Sequence, residues 1–429
     1  MYLNGSKWNL RRKRRGSRPW RVLFLLLVIA GLVFLWQIYI PTVPPPFVPT
    51  PTPTRSSAAI ELEAESLFES GRLTQAEEAY RAAISVNPQE ITYYIDLARV
   101  LVFMGDYEDA ELAARDALVV DGDSPLGHAV LGWVLDFRAS TEDDDEIRTA
   151  LLDNALSEVQ RGLSSNPGSA LIQAYYAEVL IDQSPTSYTE ARQAAEEAIR
   201  LDPNLLEGHR ALGYVYEVTQ NYELALENYL VAARINPRLP LLHLNVGNMQ
   251  RALGDYAAAE ESYLNAVALA PENPDPLSLL ANLNANVGEY GKASQYAEQA
   301  VALDPTNPRL RGLLGRMLFS NGDYDGALIQ LELATRGGQS PEGDWVEGLS
   351  LVEAGQTADP RVVEYYTRYA MALARQGRCE GTEGAIAIAE ALLTNFDDEI
   401  TVFNAREALI TCGELEREPT PTPEATTEP

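Results

Sequence analysis

The chain has 429 residues, 46% of them apolar, with 33 Lys+Arg against 62 Asp+Glu. That apolar content excludes a wholly disordered chain, and the length supports a large core. Residues 1–21 hold eight cations and no acid, leaving 25 cations against 62 acids elsewhere, a net of −37 that repels phosphate backbones and excludes nucleic-acid binding there.

The basic stub of residues 1–21 precedes Val22–Ile40, a run of 19 residues without a charge. As a helix it would span roughly 28 Å, close to the hydrocarbon thickness of a bilayer. Trp20 flanks one end, and Trp36 and Tyr39 stand at the other, where amphipathic rings prefer the interface. Residues 22–40 are therefore expected to form one transmembrane helix, with the stub in the cytoplasm and the body outside. A cleaved signal peptide is the alternative, but the residues that follow offer no small-residue cleavage site. Residues 41–57, rich in Pro and Thr, read as a polyproline linker reaching roughly 50 Å. The tail, 416–429, has the same chemistry and is expected to be disordered. Stretches of this kind look bacterial.

Residues 58–338 carry a period of 34. Pro203, Pro237, Pro271 and Pro305 close successive units, and Pro88 and Pro167 extend the series backwards, with Gly122 in a slot that lacks its proline. Each unit shows two apolar segments at helical spacing, joined by a short polar turn. Gly213, Gly247, Ala281 and Gly315 in the first segment, and Ala225, Ala259, Ala293 and Ala327 in the second, allow close helix approach. The turn recurs as Gly-Asp-Tyr at Gly105, Gly254 and Gly322, where glycine ends one helix and aspartate starts the next. Thr74–Glu77 and Ser187–Glu190 read as capping boxes. The third unit has about eleven extra residues, centred on 141–147. No such helix pair buries its apolar face alone, so the units must stack.

The pattern resembles the tetratricopeptide repeat family over about eight units. The aromatic expected near each unit's start is replaced by His128, His209, His243 or a smaller residue. The resemblance implies an all-α right-handed superhelix, an α-solenoid of about eight to nine helix hairpins, whose concave groove is lined by first helices and holds a peptide or partner protein. Residues 339–415 read as a degenerate repeat with C-terminal capping: 362–376 looks like another first helix, and 383–395 and 399–411 are expected to be helical too. Cys379 and Cys412 lie about one repeat apart; a disulfide between them and two free thiols are both open.

The three histidines occupy one register slot, too far apart between units to share a metal, and packing is expected of them. Residues 321–332 approach a calcium loop, but Ala327 already serves the second helix, so the repeat's own turn is the better reading. Residues 143–146 read as a solvated acidic loop. No nucleophile, base and orienting group stand at catalytic spacing, so no enzyme and no cofactor are expected. The groove remains. Its inward positions include Arg99, Trp133, Glu178, Arg210, Tyr214, Asn245, Asn248, Arg251, Asn282, Asn286, Arg309 and Arg316. Asparagine both donates and accepts, which suits an extended backbone, and arginine suits carboxylates. The sequence thus points to a single-pass, membrane-tethered scaffold for a protein or peptide. The alternatives are a structural spacer or accessory subunit of an envelope assembly, or a ligand- or calcium-responsive surface protein. Oligomeric state stays open.

Overall fold

A computed structural model describes residues 19–35, 37, 56–142, 144–351 and 359–416. The expectations for the stub up to residue 18, for the linker from 41 to 55, for Asp143 and for the tail beyond 416 lie outside the described residues. The chain divides into two units, residues 1–55 and 56–429. In the first, α1 runs Pro19–Phe34, 16 residues with no acid in its first turn and none of its side chains buried. Among the described residues no helix is long and apolar enough to cross a membrane. The expected span of 22–40 continues past α1 into residue 36 and residues 38–40, which are not described.

In the second unit, sixteen of the described helices form eight hairpins. These are α2 (Ser57–Glu69) with α3 (Leu73–Val86), α4 (Ile91–Met104) with α5 (Tyr107–Val120), α6 (Pro125–Thr141) with α7 (Asp145–Ser165), and α8 (Ala170–Gln183) with α9 (Tyr188–Leu201). They continue as α10 (Leu206–Val218) with α11 (Tyr222–Ile235), α12 (Pro240–Ala252) with α13 (Tyr256–Leu269), α14 (Asp275–Asn286) with α15 (Tyr290–Leu303), and α16 (Pro308–Ser320) with α17 (Tyr324–Arg336). The fold is thus an all-helical solenoid of tetratricopeptide type.

The hairpins close through the small residues. A Cβ added to Gly213 would sit 2.9 Å from the Tyr229 ring, and one added to Gly247 would sit 2.6 Å from the Tyr263 ring. Ala225, Ala259, Ala293 and Ala327 are fully buried. At the turns, Gly105, Gly254 and Gly322 have φ of +87°, +82° and +86°, a region where glycine alone is unstrained. Asp106, Asp255 and Asp323 then accept the N–H three residues on and cap the second helices. The two expected capping boxes do not form. Thr74 already lies inside α3, whose N-cap is Arg72, and Ser187 makes no cap bond because a 3-10 turn at Pro185–Ser187 leads directly into α9. The extra residues of the third unit lengthen its helices, α6 to 17 residues and α7 to 21, instead of making a large loop.

First helices form an inner layer, with α4 on α6, α6 on α8 and α8 on α10. The layer curls until its start meets its middle. A Cβ on Gly71, in the α2–α3 turn, would lie 2.3 Å from the carbonyl oxygen of Arg238, just before α12. Arg99 on α4 bonds Glu207 on α10 at 2.6 Å, 108 residues away. The buried apolar residues form several clusters. The largest runs from Ala64 to Leu242, with smaller ones around Tyr229 and Met249, from Ala259 to Met317, and from Phe319 to Leu409. Half-buried Tyr214 and Tyr216 touch the first two, and Leu318 touches the last two.

After α17 a ribbon of two-residue strands, β1 (Gly338–Gln339) against β2 (Trp345–Val346), turns the chain, an element that the repeat pattern does not predict. Three helices follow: α18 (Pro360–Arg375), α19 (Ala385–Asn395) and α20 (Glu399–Cys412). All three pack on one another, and α18 rests on α16 and α17. A disulfide joins Cys379 to Cys412.

Candidate partner-binding groove

Trp133, fully buried on α6, anchors the inner face of the first half. It stacks on Tyr175 of α8 with centroids 4.4 Å apart and meets Phe137 edge-on at 5.3 Å. Its indole N–H donates to Glu178 Oε2 at 2.8 Å. Arg210 of α10 donates to the same oxygen at 2.6 Å, and its guanidinium lies 5.2 Å from the Trp133 ring centre and 5.5 Å from that of Phe137. Ring faces carry partial negative charge, so they share in solvating this buried cation. Glu178 and Arg210 are 2% and 4% exposed.

Around this pair stand more carboxylates. Asp182 sits one helical turn beyond Glu178 and accepts from the Tyr214 hydroxyl at 2.6 Å. Glu217 accepts from the Tyr229 hydroxyl at 2.6 Å. Asp136, 4% exposed, faces Asp182. Together with Ser140, Leu241 and Asn245, these groups line a cavity of about 210 Å³. Its lining holds four carboxylates and one guanidinium.

That surplus shows in the proton affinities. Burial pushes Glu178 up to about 7, although Arg210 and the Trp133 N–H oppose it. Burial raises Asp182 to about 6 against the Tyr214 hydrogen bond. Asp136 is held well above the usual carboxylate range by burial and by the charges of Asp182 and Glu178. Glu217 is raised as well, chiefly by burial. For Arg210 burial favours the neutral form, but Glu178 and Glu207 outweigh it and the guanidinium stays charged. One oxygen of Asp136 and one of Glu178 have no hydrogen-bond partner.

A larger cleft of about 640 Å³ opens where the curled layer meets itself. The α2–α3 turn, the end of α4, Leu241 and Leu244 of α12, and residues 269–275 line it. Leu241 belongs to both walls.

Of the positions expected to face inward, the structure brings Trp133, Glu178, Arg210, Tyr214 and Asn245 together at the smaller cavity. Arg99 lies nearby, bonded to Asp96 and Glu207. The others lie apart, along the second half. Asn248 accepts from Tyr263 at 2.8 Å. Asn282 donates to Ser278 and accepts from Arg316, and Arg309 pairs with Asp359. Arg251 and Asn286 are exposed. Sequence reading passed over Asp136, Asp182 and Glu217. Helical spacing carries the signal: Asp182 is four residues from Glu178, and Glu217 is three from Tyr214, so each pair shares a face.

The histidines have a different task. His209 Nε2 meets the Pro203 carbonyl at 3.1 Å, His243 Nε2 the Pro237 carbonyl at 2.9 Å, and His128 Nε2 the Gly122 carbonyl at 3.0 Å. Tyr94, Gln173 and Arg311 do the same for Pro88, Pro167 and Pro305. A donor six residues after the closing carbonyl thus pins the loop between units. In the stretch 321–332, Asp323 caps α17 and Ala327 is buried; in the acidic loop, Asp144 caps α7. Among the described residues no group of three His, Cys, Asp or Glu is placed to hold a metal ion.

Two models described as tetratricopeptide repeat match the chain, one over residues 67–134 and 285–342, the other over 186–240, 211–274 and 244–308. Among solved structures, a thermophilic tetratricopeptide-repeat protein of Thermus thermophilus is 21% identical, with 46% of this chain and 99% of that one covered and a TM-score of 0.38. A tetratricopeptide repeat protein from Parabacteroides merdae is 16% identical, with 62% and 100% covered and a TM-score of 0.37. No curated protein matches. Proteins with such repeats generally mediate protein–protein contacts and are typically non-enzymatic scaffolds. The two models together span just over half of the chain, at the positions where the structure forms its hairpins, and the chain belongs to the tetratricopeptide repeat family.

Proposed function

We propose that this protein is a membrane-tethered, non-enzymatic scaffold that holds a peptide or partner protein on the inner face of its repeats, outside the membrane of a bacterial cell. The observation that carries the reading is the cleft of about 640 Å³, walled by the half-buried Leu241 and Leu244 and sharing Leu241 as a wall residue with the carboxylate-lined cavity. Concave sites with apolar walls and a few placed polar groups are where proteins bind ligands. The charge-free run 22–40 behind eight cations supports the tether and its orientation. The Cys379–Cys412 disulfide supports an oxidising exterior.

The test places a photo-crosslinking amino acid in the full chain in its native cell, at Leu244 in the cleft or at Leu230, 41% exposed on α11. A partner crosslinked from Leu244 and not from Leu230 is expected. Equal labelling at both, or none at Leu244, overturns the groove assignment. Separately, Leu26→Arg with Leu27→Arg should move the protein from the membrane to the soluble fraction, and unchanged partitioning would refute the tether.

A further inference from the structure

We infer that the cavity between α6, α8 and α10 receives a cationic side chain, lysine or arginine, of a partner peptide lying in the neighbouring cleft. The inference rests on the groove reading and gives that groove its chemistry.

The cavity's four carboxylates, Asp136, Glu178, Asp182 and Glu217, face one internal cation, Arg210. Arg210 is engaged with Glu178, and two hydroxyls serve Asp182 and Glu217. What is left over is acceptor capacity, since Asp136 Oδ1 and Glu178 Oε1 are buried without a partner. A buried acceptor without a donor is costly, and a charged one more so. Burial raises the proton affinity of Asp136, Glu178 and Asp182, and neighbouring carboxylates add to it at Asp136 and Glu178, as in a cavity short of positive charge. An organic cation answers the same need with several N–H donors at once.

Size and geometry narrow the ligand. At about 210 Å³ the cavity is smaller than those that enclose a drug-sized molecule, and it suits one long side chain. No cluster of three ligating groups among the described residues is arranged for a metal ion. Phe137 and Tyr214 supply ring surface for an alkyl stem or a guanidinium plane. Ser140 of the lining is exposed, and Leu241 lines both the cavity and the cleft where a peptide backbone would lie.

The experiment uses the full chain and acetylated octapeptides of alanine and glycine carrying one central arginine, lysine, citrulline or glutamine, with affinity read by calorimetry. The arginine or lysine peptide should bind at least tenfold tighter than its citrulline or glutamine counterpart. Asp136→Asn combined with Asp182→Asn should erase that difference. These amides keep the shape and relieve repulsion, so the variant should fold; circular dichroism and melting confirm it. Equal affinity for charged and neutral peptides, or an undiminished preference in the folded variant, overturns the inference. Competition by free arginine amide or spermidine at the same concentration as the peptide would also overturn it, by assigning the cavity to a small cation. If the Leu244 crosslink persists in the variant while the charge preference is absent from wild type, the groove stands and the cation pocket falls.

Discussion

The inner faces of the two halves of the solenoid come from the same repeat and are built on different physics. From α4 to α10 the face is filled with aromatic rings and ionised groups withdrawn from water, with Trp133, Glu178 and Arg210 each under a twentieth exposed. From α12 to α16 the equivalent positions carry Asn248, Arg251, Asn282, Asn286 and Arg316, half-buried or exposed, and paired where they are paired by bonds to neighbouring helices. The difference follows from curvature. Among the described residues, the α2–α3 turn and the end of α4 fold back beside the first-half face, reaching α10 and the start of α12, and leave the positions from Asn248 onward open. A charge enclosed on every side must be answered by the protein, whereas one facing solvent is answered by water.

The sharpest way to break this comparison is to remove one member of the enclosed pair. Arg210→Ala leaves Glu178 buried without its guanidinium and should cost about 3–5 kcal/mol. Arg316→Ala, on the open half, should cost about 0–1 kcal/mol, since its partners remain in reach of water. The double change Arg210→Met with Glu178→Met should recover most of the loss, because the buried pair as a whole gives little net stability. Denaturant melts of the three variants decide it; similar losses for Arg210→Ala and Arg316→Ala would show that the halves do not differ.

The capping end offers a second contrast, since it carries a covalent link beside its packed helices. Cys379 and Cys412 enclose 33 residues of separation, and replacing both by serine should cost about 3 kcal/mol. Hydrogen exchange should show the loss in α18 to α20 and leave the Trp133 region protected. A uniform loss along the whole solenoid would mean that the two ends unfold as one unit.

How much of this was readable in advance depends on the range of the interaction. The period of 34, the Gly-Asp turns and the small-residue slots were legible because each is set within one hairpin by a fixed spacing. Trp133, Glu178, Arg210 and Tyr214 were legible as inward positions for the same reason. Their burial was not. It depends on Gly71 meeting Arg238 and Arg99 meeting Glu207, contacts whose geometry accumulates over several stacked units and leaves no mark at any one of them. The capping boxes failed for the opposite reason: Thr74 and Ser187 have the right neighbours, but the helix starts are fixed by the packing of Leu73 and by the Pro185–Ser187 turn. The loop-pinning donors were visible as a histidine slot, yet Tyr94, Gln173 and Arg311 share only donor chemistry with it.

A third test sharpens the electrostatic side. Glu178 rises from its ordinary 4.5 to about 7, and Asp182 from 3.8 to about 6, in both cases mainly through burial. Between about pH 4 and pH 7 the folded protein therefore holds protons that the unfolded chain has released. Stability must fall as pH rises through that window, because the unfolded state binds fewer protons. Below it both states are protonated, and the penalty of buried charge is absent. Asp182→Asn should flatten part of the decline and raise stability at pH 7 by about 1–2 kcal/mol, the amide oxygen still accepting from Tyr214. Melting temperature measured from pH 4 to pH 8 on both proteins is the check, and parallel curves would place the titrating groups elsewhere.

The smallest expected effect concerns positions the two halves share. His243 spans its loop to the Pro237 carbonyl at 2.9 Å, partly in water, whereas the next unit has Leu277, 5% exposed, in that register and no side-chain donor. The solenoid continues through the Leu277 unit, so the loop bond cannot be what sets the stacking. His243→Ala should then cost about 0.5–1 kcal/mol, the net value of one hydrogen bond that water can replace. His243→Leu, which restores apolar contact as Leu277 does, should cost less than His243→Ala. If instead both variants lost several kcal/mol by denaturant melting, the loops rather than the helix faces would fix the register of neighbouring units, and the contrast between an enclosed half and an open one would have to be traced to its loops.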